Sequence, residues 1–507
     1  PKHRDCNYMK KKKISVAAPL SPAQIAAKKA NELVQAKRYK EAIDFLDSSP
    51  HTDRSKTIFL HLYGLAWTNL LEHEKAVPFF VESIKVNPLD PFPYFNIGNA
   101  LAKNVQFDEA EKYYNLALTL DENCVDALVG MGVVNFQKSN YEACEEFFTK
   151  SLKFKPDNAQ VITNLGNTYF VQGRYDEALS FLNRALALNP ENPMARTNRG
   201  LVKLGRYDFE TGWADYENRF YEEAFSARKF THIPQWNGDL TKPGNVLIWC
   251  EQGLGDEIMF ASIFNDLKGA QCTLFVESDK RLLRAFQASF PHLKFIPKGI
   301  GSMSGVNYQL PLASLGALFR TRMESFERPQ GGFLQLPFGS GLKPSTRAAL
   351  EALPKPWIGV SWESYALTKN FRDRKSISAA EFAVYTGVTS ASLINLQYPN
   401  PHKHEKPGPQ DIPTGVTTLP DLDLKNDIEE LVALMKEMDN VITIGNSVAH
   451  LCGGFGIPAK VLLPSVPDWR WGHSGEQSVW YESLHLLRNP SADNWQDLLK
   501  TIAKAPD

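Results

Sequence analysis

The chain has 507 residues, with 56 Lys plus Arg against 57 Asp plus Glu, so no net charge steers it toward nucleic acid or an anionic membrane surface. That length exceeds what one core holds and predicts two to four domains. Cys6, Cys124, Cys144, Cys250, Cys272 and Cys452 include no pair at C-x-x-C spacing, which argues against a zinc knuckle or disulfide framework and for a reducing compartment.

Residues 1–21 read as a disordered tail. The lysines at 10–13 have no apolar segment behind them, so no signal peptide is expected. No run of about 18 apolar residues occurs, so no membrane span is expected and the location expected is cytoplasmic.

Residues 22–222 carry a repeat. Gly64, Gly98, Gly132, Gly166 and Gly200 stand 34 residues apart. A second register at the same spacing runs Ala42, Ala76, Ala110, Cys144, Ala178 and Gly212, and a third Leu46, Phe80, Tyr114, Phe148, Leu182 and Tyr216. Pro88, Pro156 and Pro190 mark repeat ends. Small residues at two fixed positions let paired helices approach, and the large residue four beyond the second fills the space between neighbouring repeats. The three registers resemble the tetratricopeptide repeat, an α-solenoid. About five full repeats are expected, with a degenerate one at each end. Ala30 replaces the first glycine, and Gly212-Trp213 marks a capping repeat. Such solenoids present a concave face to protein partners. Asn96, Asn99, Asn135, Asn164 and Asn167 lie on or near first helices, where they hydrogen-bond an extended peptide or stand solvated. The alternative to partner binding is a spacer or an oligomerisation arm.

Residues 223–245 read as a linker, with Pro234, Gly238, Pro243 and Gly244 breaking regular structure and Trp236 expected to plug the joint. An apolar strand over 246–251 follows, then a glycine turn, Gln252-Gly253-Leu254-Gly255. Next comes a helical pattern over 256–267, apolar at Ile258, Ala261, Ile263, Phe264 and Leu267. Short apolar runs at 272–276, 294–296 and 308–312, with a helical stretch at 280–289, predict a parallel sheet with helices on both faces. Residues 246–340 thus form a first Rossmann-like half, and the Gly, Pro and Ser of 331–353 suggest an interdomain hinge. Asp256 and Glu257 open the helix after the first strand. Two carboxylates there suit the helix dipole and repel a pyrophosphate, so this turn is a poor phosphate cradle. Asp256 there is placed to take a proton from an attacking hydroxyl, or is a plain N-cap.

Residues 341–507 read as a second Rossmann-like half. Strands are expected at 357–362, ending near Ser361, at 392–398, which includes Gln397, and at 416–419, 440–444 and 459–463. Helices are expected at 428–438, capped by Asp427, at 448–455 and at 494–503. Lys369, Arg372, Arg374 and Lys375 make a basic loop past the first of these strands, fit to meet a diphosphate or to stand solvated. Gly445-Asn446-Ser447 opens the 448–455 helix without an acidic residue, so its free N–H groups, with His450 nearby, form a candidate anion site. A packed helix residue is the alternative for His450. Trp469-Arg470-Trp471 stacks a base or sugar, or pins its own loop by cation–π packing. Asp421-Leu422-Asp423 lies in a Pro- and Asp-rich loop, not at a strand end, and no metal site is expected from it.

The motifs E-Q-G-L-G-D-E-I-M-F-A, G-V-S-W, I-N-L-Q-Y, N-D-I, V-I-T-I-G-N-S-V-A-H-L-C-G-G-F-G and P-D-W-R-W, behind the repeats, resemble the bacterial tetratricopeptide-repeat glycosyltransferases, relatives of the ADP-heptose:lipopolysaccharide heptosyltransferases. The resemblance implies a GT-B unit of two Rossmann-like domains. It would move a sugar from a nucleotide diphosphate sugar to a hydroxyl of a protein or glycan acceptor, with inversion and without a metal or other cofactor. It assigns the general base to Asp256 and the acceptor-side loop to Gln252, Gly253 and Gly255. It assigns donor binding to Ser361, Lys375, Gln397, Asn446, Ser447 and His450. The repeats would recruit the acceptor or a protein partner. In one respect the chain departs from the heptosyltransferase pattern: Gly445-Asn446-Ser447 stands where those enzymes carry Asp-Thr-Ala, which puts heptose itself in question. The competing reading is a non-catalytic interaction scaffold with a degenerate GT-B unit.

Overall fold

The computed structural model describes residues 20–53, 56–221, 229–299, 304–364, 375–387, 389–398, 412–491 and 494–504. The chain divides into two compact units between Val161 and Ile162, inside the helical repeats and not at the 223–245 linker.

The first unit is helical: α1 (Pro22–Gln35), α2 (Tyr39–Ser48), α3 (Thr57–Asn69), α4 (His73–Val86), α5 (Pro91–Lys103), α6 (Phe107–Leu120), α7 (Val125–Gln137) and α8 (Tyr141–Phe154). Side chains set several starts. Ser21 and Gln24 form a reciprocal capping box on α1, and Asp90 accepts from the Phe92 N–H at the head of α5. Pro22 and Pro91 sit in the first turn, where a missing N–H costs nothing. The registers have a direct physical meaning. A Cβ on Gly98 would lie 2.7 Å from the Tyr114 ring, and Phe80 and Phe148 stand the same way over Gly64 and Gly132. The large residue therefore lies on the glycine of its own helix pair. Tyr114 also reaches the next pair, over Gly130, and Phe80 meets Phe92 of α5 at 6.3 Å, so these side chains fill the space between repeats as well.

A further 34-residue register was not legible as a pattern of residue type. Lys37, Leu71, Val105 and Ser139 all close their first helix with φ between 59 and 64°. The position needs a left-handed backbone and is filled by unrelated residues, because the turn's own hydrogen bonds hold it. The asparagines do not form a free ladder. Asn96 and Asn135 are buried and donate to carbonyls one turn back, Phe92 and Met131, while Asn99 accepts from the Tyr114 hydroxyl.

The second unit opens with α9 (Ala159–Val171), which carries the division, then α10 (Tyr175–Leu188), α11 (Pro193–Gly205), α12 (Phe209–Tyr216) and a 3-10 turn, Glu217–Tyr221. Two sheets follow. The first contains β1 (Asn245–Trp249), β2 (Thr273–Ser278), β3 (Lys294–Pro297) and β4 (Tyr308–Pro311) in the order β3-β2-β1-β4. Its helices are α13 (Leu254–Ala261), α14 (Leu283–Ser289) and α15 (Ser314–Phe319). The second contains β5 (Trp357–Val360), β6 (Ser392–Asn395), β7 (Val416–Thr417), β8 (Asn440–Ile444), β9 (Ala459–Leu463) and β10 (Leu484–Arg488) in the order β10-β9-β8-β5-β6-β7. Its helices are α16 (Pro344–Glu351), α17 (Ala379–Thr386), α18 (Ile428–Glu437), α19 (Ser447–Gly454) and α20 (Gln496–Lys504). Among the described residues, every pair of these strands is parallel. Continuous apolar strands such as β1 and β8 suit sheets covered on both faces.

Several expectations need correction. The helix expected over 256–267 starts at Leu254 and stops at Ala261, with a 3-10 turn at Phe264–Leu267. The hinge expected over 331–353 is packed: it contains α16, and the Phe333 and Leu334 N–H groups both donate to the Gly454 carbonyl at the end of α19. β10, α15 and α17 were not anticipated, because their patterns are short. Trp236 packs near Phe319 of α15, and its backbone N–H donates to the Gln309 carbonyl in β4. The joint with the repeats is filled instead by Trp213 of α12, whose indole N–H donates to the Arg320 carbonyl at 2.8 Å. Below it, Arg219 and Glu251 form a fully buried ion pair at 2.8 Å. Glu251 also accepts from the Leu312 and Ala313 N–H groups, which fixes the end of β1 to the turn after β4.

Candidate functional site

The carboxyl ends of the two sheets come together through α13 and α19, each the helix that follows a central strand. Gly255 makes the approach possible, since a Cβ there would lie 2.6 Å from the His450 ring. Gly454 does the same farther along, with Ile258 at 2.9 Å from its would-be Cβ. The glycine turn before α13 thus brings two helix starts together.

Asp256 is not the N-cap. Gly253 holds that position, without a side-chain cap, and Asp256 lies inside the first turn. Its carboxylate points across to the second half, where Arg470 Nε donates to Oδ1 at 2.5 Å. Glu257 turns the other way, into the first half. It accepts from the Ser278 hydroxyl and the Asp279 N–H, with Lys298 at 3.4 Å, and burial pushes its carboxyl above the usual range.

Arg470 is the hub. Its Nη2 donates to Gln252 Oε1 at 2.8 Å and its Nη1 to Asp468 Oδ1 at 2.7 Å, and its guanidinium lies 4.9 Å from the Trp469 ring centre. Burial works against the charge, but Asp256 and Asp468 outweigh it and hold the Arg470 pKa well above its ordinary value. Burial likewise opposes ionisation of Asp468, and Arg470 and Lys375 overcome it, leaving the carboxyl far below the usual range. Lys375 Nζ stands 3.2 Å from the other Asp468 oxygen. A chain of alternating charge therefore runs Asp256, Arg470, Asp468, Lys375. Gln252 links it to the repeats, because its Nε2 donates to the Tyr216 hydroxyl of α12 at 3.1 Å.

The other candidate residues frame the site. Ser361 Oγ is 2.6 Å from Thr443 Oγ1 and accepts from Asn446 Nδ2. Asn446 is the N-cap of α19, accepting from the Val448 N–H, and also donates to the Glu363 carbonyl. Gln397 Oε1 accepts from the N–H groups of Trp362 and Glu363. All three are buried, so these side chains fix the strand ends and the loop after β5. Ser447, half-buried, is the first residue of α19. His450 is packed between Tyr481, whose hydroxyl is 2.8 Å from Nδ1, and the Trp471 ring at 4.9 Å. Burial, reinforced by Arg470, pulls its pKa down to about 3. The imidazole is neutral near pH 7, so it can meet an anion through an N–H and not through charge. The position before the cap, Gly445, is closed by Trp471: a Cβ there would lie 2.6 Å from the indole nitrogen.

Lys369, Arg372 and Arg374 lie outside the described residues. Asp421 and Asp423 serve their own loop. Asp423 accepts from the N–H groups of Lys425 and Asn426, and the Asp421 carbonyl accepts from Lys343. The sequence reading picked out the Trp469-Arg470-Trp471 motif but missed its partner. A pairing between residues 214 positions apart leaves no local signal.

The tetratricopeptide repeat family model matches residues 91–124 and 159–192. The helical part of the chain is accordingly a tetratricopeptide-repeat solenoid, followed by an α/β region with two parallel sheets. Protein FlbA of Caulobacter vibrioides is 27% identical over 327 residues, which cover 60% of this chain and 53% of FlbA, so the chain spans about half the length of that curated relative. Among solved structures, PilF of Pseudomonas aeruginosa is 15% identical with a TM-score of 0.35, covering 38% of this chain and 88% of PilF. A thermophilic tetratricopeptide-repeat protein of Thermus thermophilus is 17% identical with a TM-score of 0.33, covering 36% of this chain and 99% of that one. No helix among the described residues is long and apolar enough to cross a membrane.

Proposed function

We propose that the α/β region is a GT-B glycosyltransferase. It takes a sugar from a nucleotide diphosphate sugar and places it on an acceptor hydroxyl, of a protein or a glycan, in the cytoplasm. The observation that carries this reading is the meeting of Asp256, from the first half, with Arg470, from the second, at 2.5 Å. It places a carboxylate fit to accept a proton beside cations fit to receive a diphosphate, at the carboxyl ends of two parallel sheets, where α/β proteins bind their ligands. Asp256 takes the acceptor's proton as its oxygen attacks the anomeric carbon, giving inversion. Arg470, Lys375 and the start of α19 stabilise the departing diphosphate. No metal is assigned a role. The tetratricopeptide repeats present a surface to a protein partner or acceptor. The donor is not expected to be heptose, since the acidic position of the heptosyltransferase motif is Gly445 here, closed by Trp471.

The test is a thermal-shift screen against UDP, GDP, ADP and CMP and their common sugars, with and without EDTA, because a ligand of the folded state raises the melting temperature. A single base giving a clear shift supports the reading. Asp256→Asn should then abolish sugar transfer. No shift at millimolar ligand would favour the second reading, an interaction scaffold. One observation favours that alternative specifically: Ser361, Gln397 and Asn446 spend their polar atoms on the protein.

A further inference from the structure

Arg470 uses all three guanidinium nitrogens, and they reach both halves: Nε on Asp256, Nη2 on Gln252, Nη1 on Asp468. This makes it at once the closest cation to the candidate base and the best-placed group for a diphosphate. The two tasks conflict. A carboxylate held by a guanidinium is a poor proton acceptor. A diphosphate offers two anionic groups and bidentate geometry, against the single oxygen of Asp256 that Arg470 engages. With Asp256, Asp468, Arg470 and Lys375 the cluster is formally neutral, and a sugar-nucleotide diphosphate would bring it two negative charges.

We propose that Arg470 is an exchangeable counter-ion, pairing with Asp256 until a sugar-nucleotide diphosphate draws it off, so that the carboxylate becomes a base only when the donor is in place. The proposal rests on the glycosyl-transfer reading. The geometry suits a side-chain swing, not a loop movement. Trp469 and Trp471 are buried and anchor the backbone on either side, while the guanidinium lies against the Trp469 ring. Once Arg470 turns to the diphosphate, the Asp256 oxygen that it occupied is free to accept a proton. The acceptor O–H proton then passes to Asp256 as the oxygen bonds to the anomeric carbon. The bond from that carbon to the diphosphate breaks, and its electron pair stays on the diphosphate oxygen facing Arg470.

The other groups around Asp256 leave it as the one that responds. Tyr216 of α12 and Tyr481 lie within its electrostatic reach and are kept protonated by burial. His450 of α19 is neutral, Asp468 and Lys375 lie beyond Arg470, and Glu251 and Glu257 are engaged with Arg219 and with Ser278 and Asp279.

The experiment is isothermal titration of the full chain with UDP-, GDP- and ADP-sugars, whose diphosphates do not titrate near neutrality. It is run at about pH 5.5 in two buffers of different ionisation enthalpy, so that proton uptake is read directly. Wild type should take up a fraction of a proton per donor bound. Asp256→Asn should take up none and should bind the donor roughly tenfold tighter or more, because nothing competes for Arg470. Arg470→Gln should bind roughly tenfold more weakly or worse, with less proton uptake than wild type. If that variant does not fold, the Asp256→Asn comparison decides alone. Binding without uptake, uptake that survives in Asp256→Asn, or unchanged affinity in Asp256→Asn would overturn the exchange and leave the transferase reading standing. Failure of wild type to bind any of these donors would overturn both.

Discussion

Trp213, on the last repeat helix, meets Trp469, in the loop after β9, edge to face at 5.6 Å with the ring planes at 88°. Tyr216 shares the same partner at 5.4 Å. The loop that carries Asp468 and Arg470 therefore rests on side chains supplied by the repeats, and α12 belongs to the core of the α/β region. Trp213→Ala should cost about 3–5 kcal/mol, the range for emptying a buried aromatic site. Urea unfolding followed by circular dichroism measures it. A loss below about 1 kcal/mol would mean that the repeats merely abut the α/β region.

Acid should destabilise this unit through two histidines. His450 and His473 are buried, and each has its pKa pulled down to about 3, burial being the main cause. In the unfolded chain each takes a proton near 6.5, so between these values the unfolded state binds more protons. Their contribution is complete above the ordinary histidine value and is lost as pH falls toward 3, at up to about 1.4 kcal/mol per pH unit for each. His473 offers the clean test. Its ring stacks on Tyr175 at 3.6 Å, neither ring nitrogen has a hydrogen-bond partner, and its backbone N–H donates to the Gly205 carbonyl. His473→Phe keeps the stack and the backbone bond. It should match wild type at neutral pH and lose less stability at pH 5, as read by urea titrations at both. Equal losses would show that His473 does not titrate on unfolding.

The repeats were legible because their packing is local. Gly98 and Tyr114 are 16 positions apart and recur in step, so contact and periodicity are the same fact. The strands were legible as apolar runs, and β8 and β9 were read to the residue. The candidate site was legible only in pieces. Asp256 was found from its place after a strand and a glycine turn. Ser361, Gln397 and Asn446 were found as polar residues near strand ends, but not as bracing: Ser361 and Asn446 bond each other and Thr443, and Gln397 holds the loop after β5. Arg470 was missed as the partner of Asp256, because that pair exists only once two sheets face each other. Glycines were the one long-range clue in plain view: Gly255 and Gly445 lack a side chain because His450 and Trp471 occupy the space.

The repeat turns store strain that can be released. Val105 sits at φ 62° and Leu71 at φ 64°, a region where a side chain, and a β-branched one above all, crowds the backbone. Gly173 fills the equivalent position with φ 75° and shows the geometry without the crowding. Val105 is 70% exposed, so little packing is lost on its removal. Val105→Gly should raise stability by about 1 kcal/mol, after the extra entropy of glycine in the unfolded chain is subtracted. The melting temperature of the full chain reports it. A lower value would mean that the Val105 side chain makes contacts worth more than the backbone strain.

Gly445 and Trp471 should behave as one feature. Gly445 follows β8 directly, and a Cβ on it would lie 2.6 Å from the Trp471 indole nitrogen and 3.3 Å from the neighbouring ring carbon. Neither side can yield easily. Gly445 is fixed between strand and helix cap, and Trp471 is buried against His450. Gly445→Ala should therefore cost about 1–3 kcal/mol, as overpacking does. Trp471→Phe withdraws the edge that collides, so the same alanine should cost less in that background. A double-mutant cycle on the full chain, by urea unfolding, should give a coupling of about 1 kcal/mol or more in favour of the double variant. Additivity within about 0.5 kcal/mol would mean that the backbone at 445 shifts to admit a side chain. The coupling bears on function as well as packing. With that coupling, an acidic side chain at 445 would need a smaller ring at 471. Under the proposed transferase reading, a donor that relies on a carboxylate at 445 would then be disfavoured while Trp471 is kept.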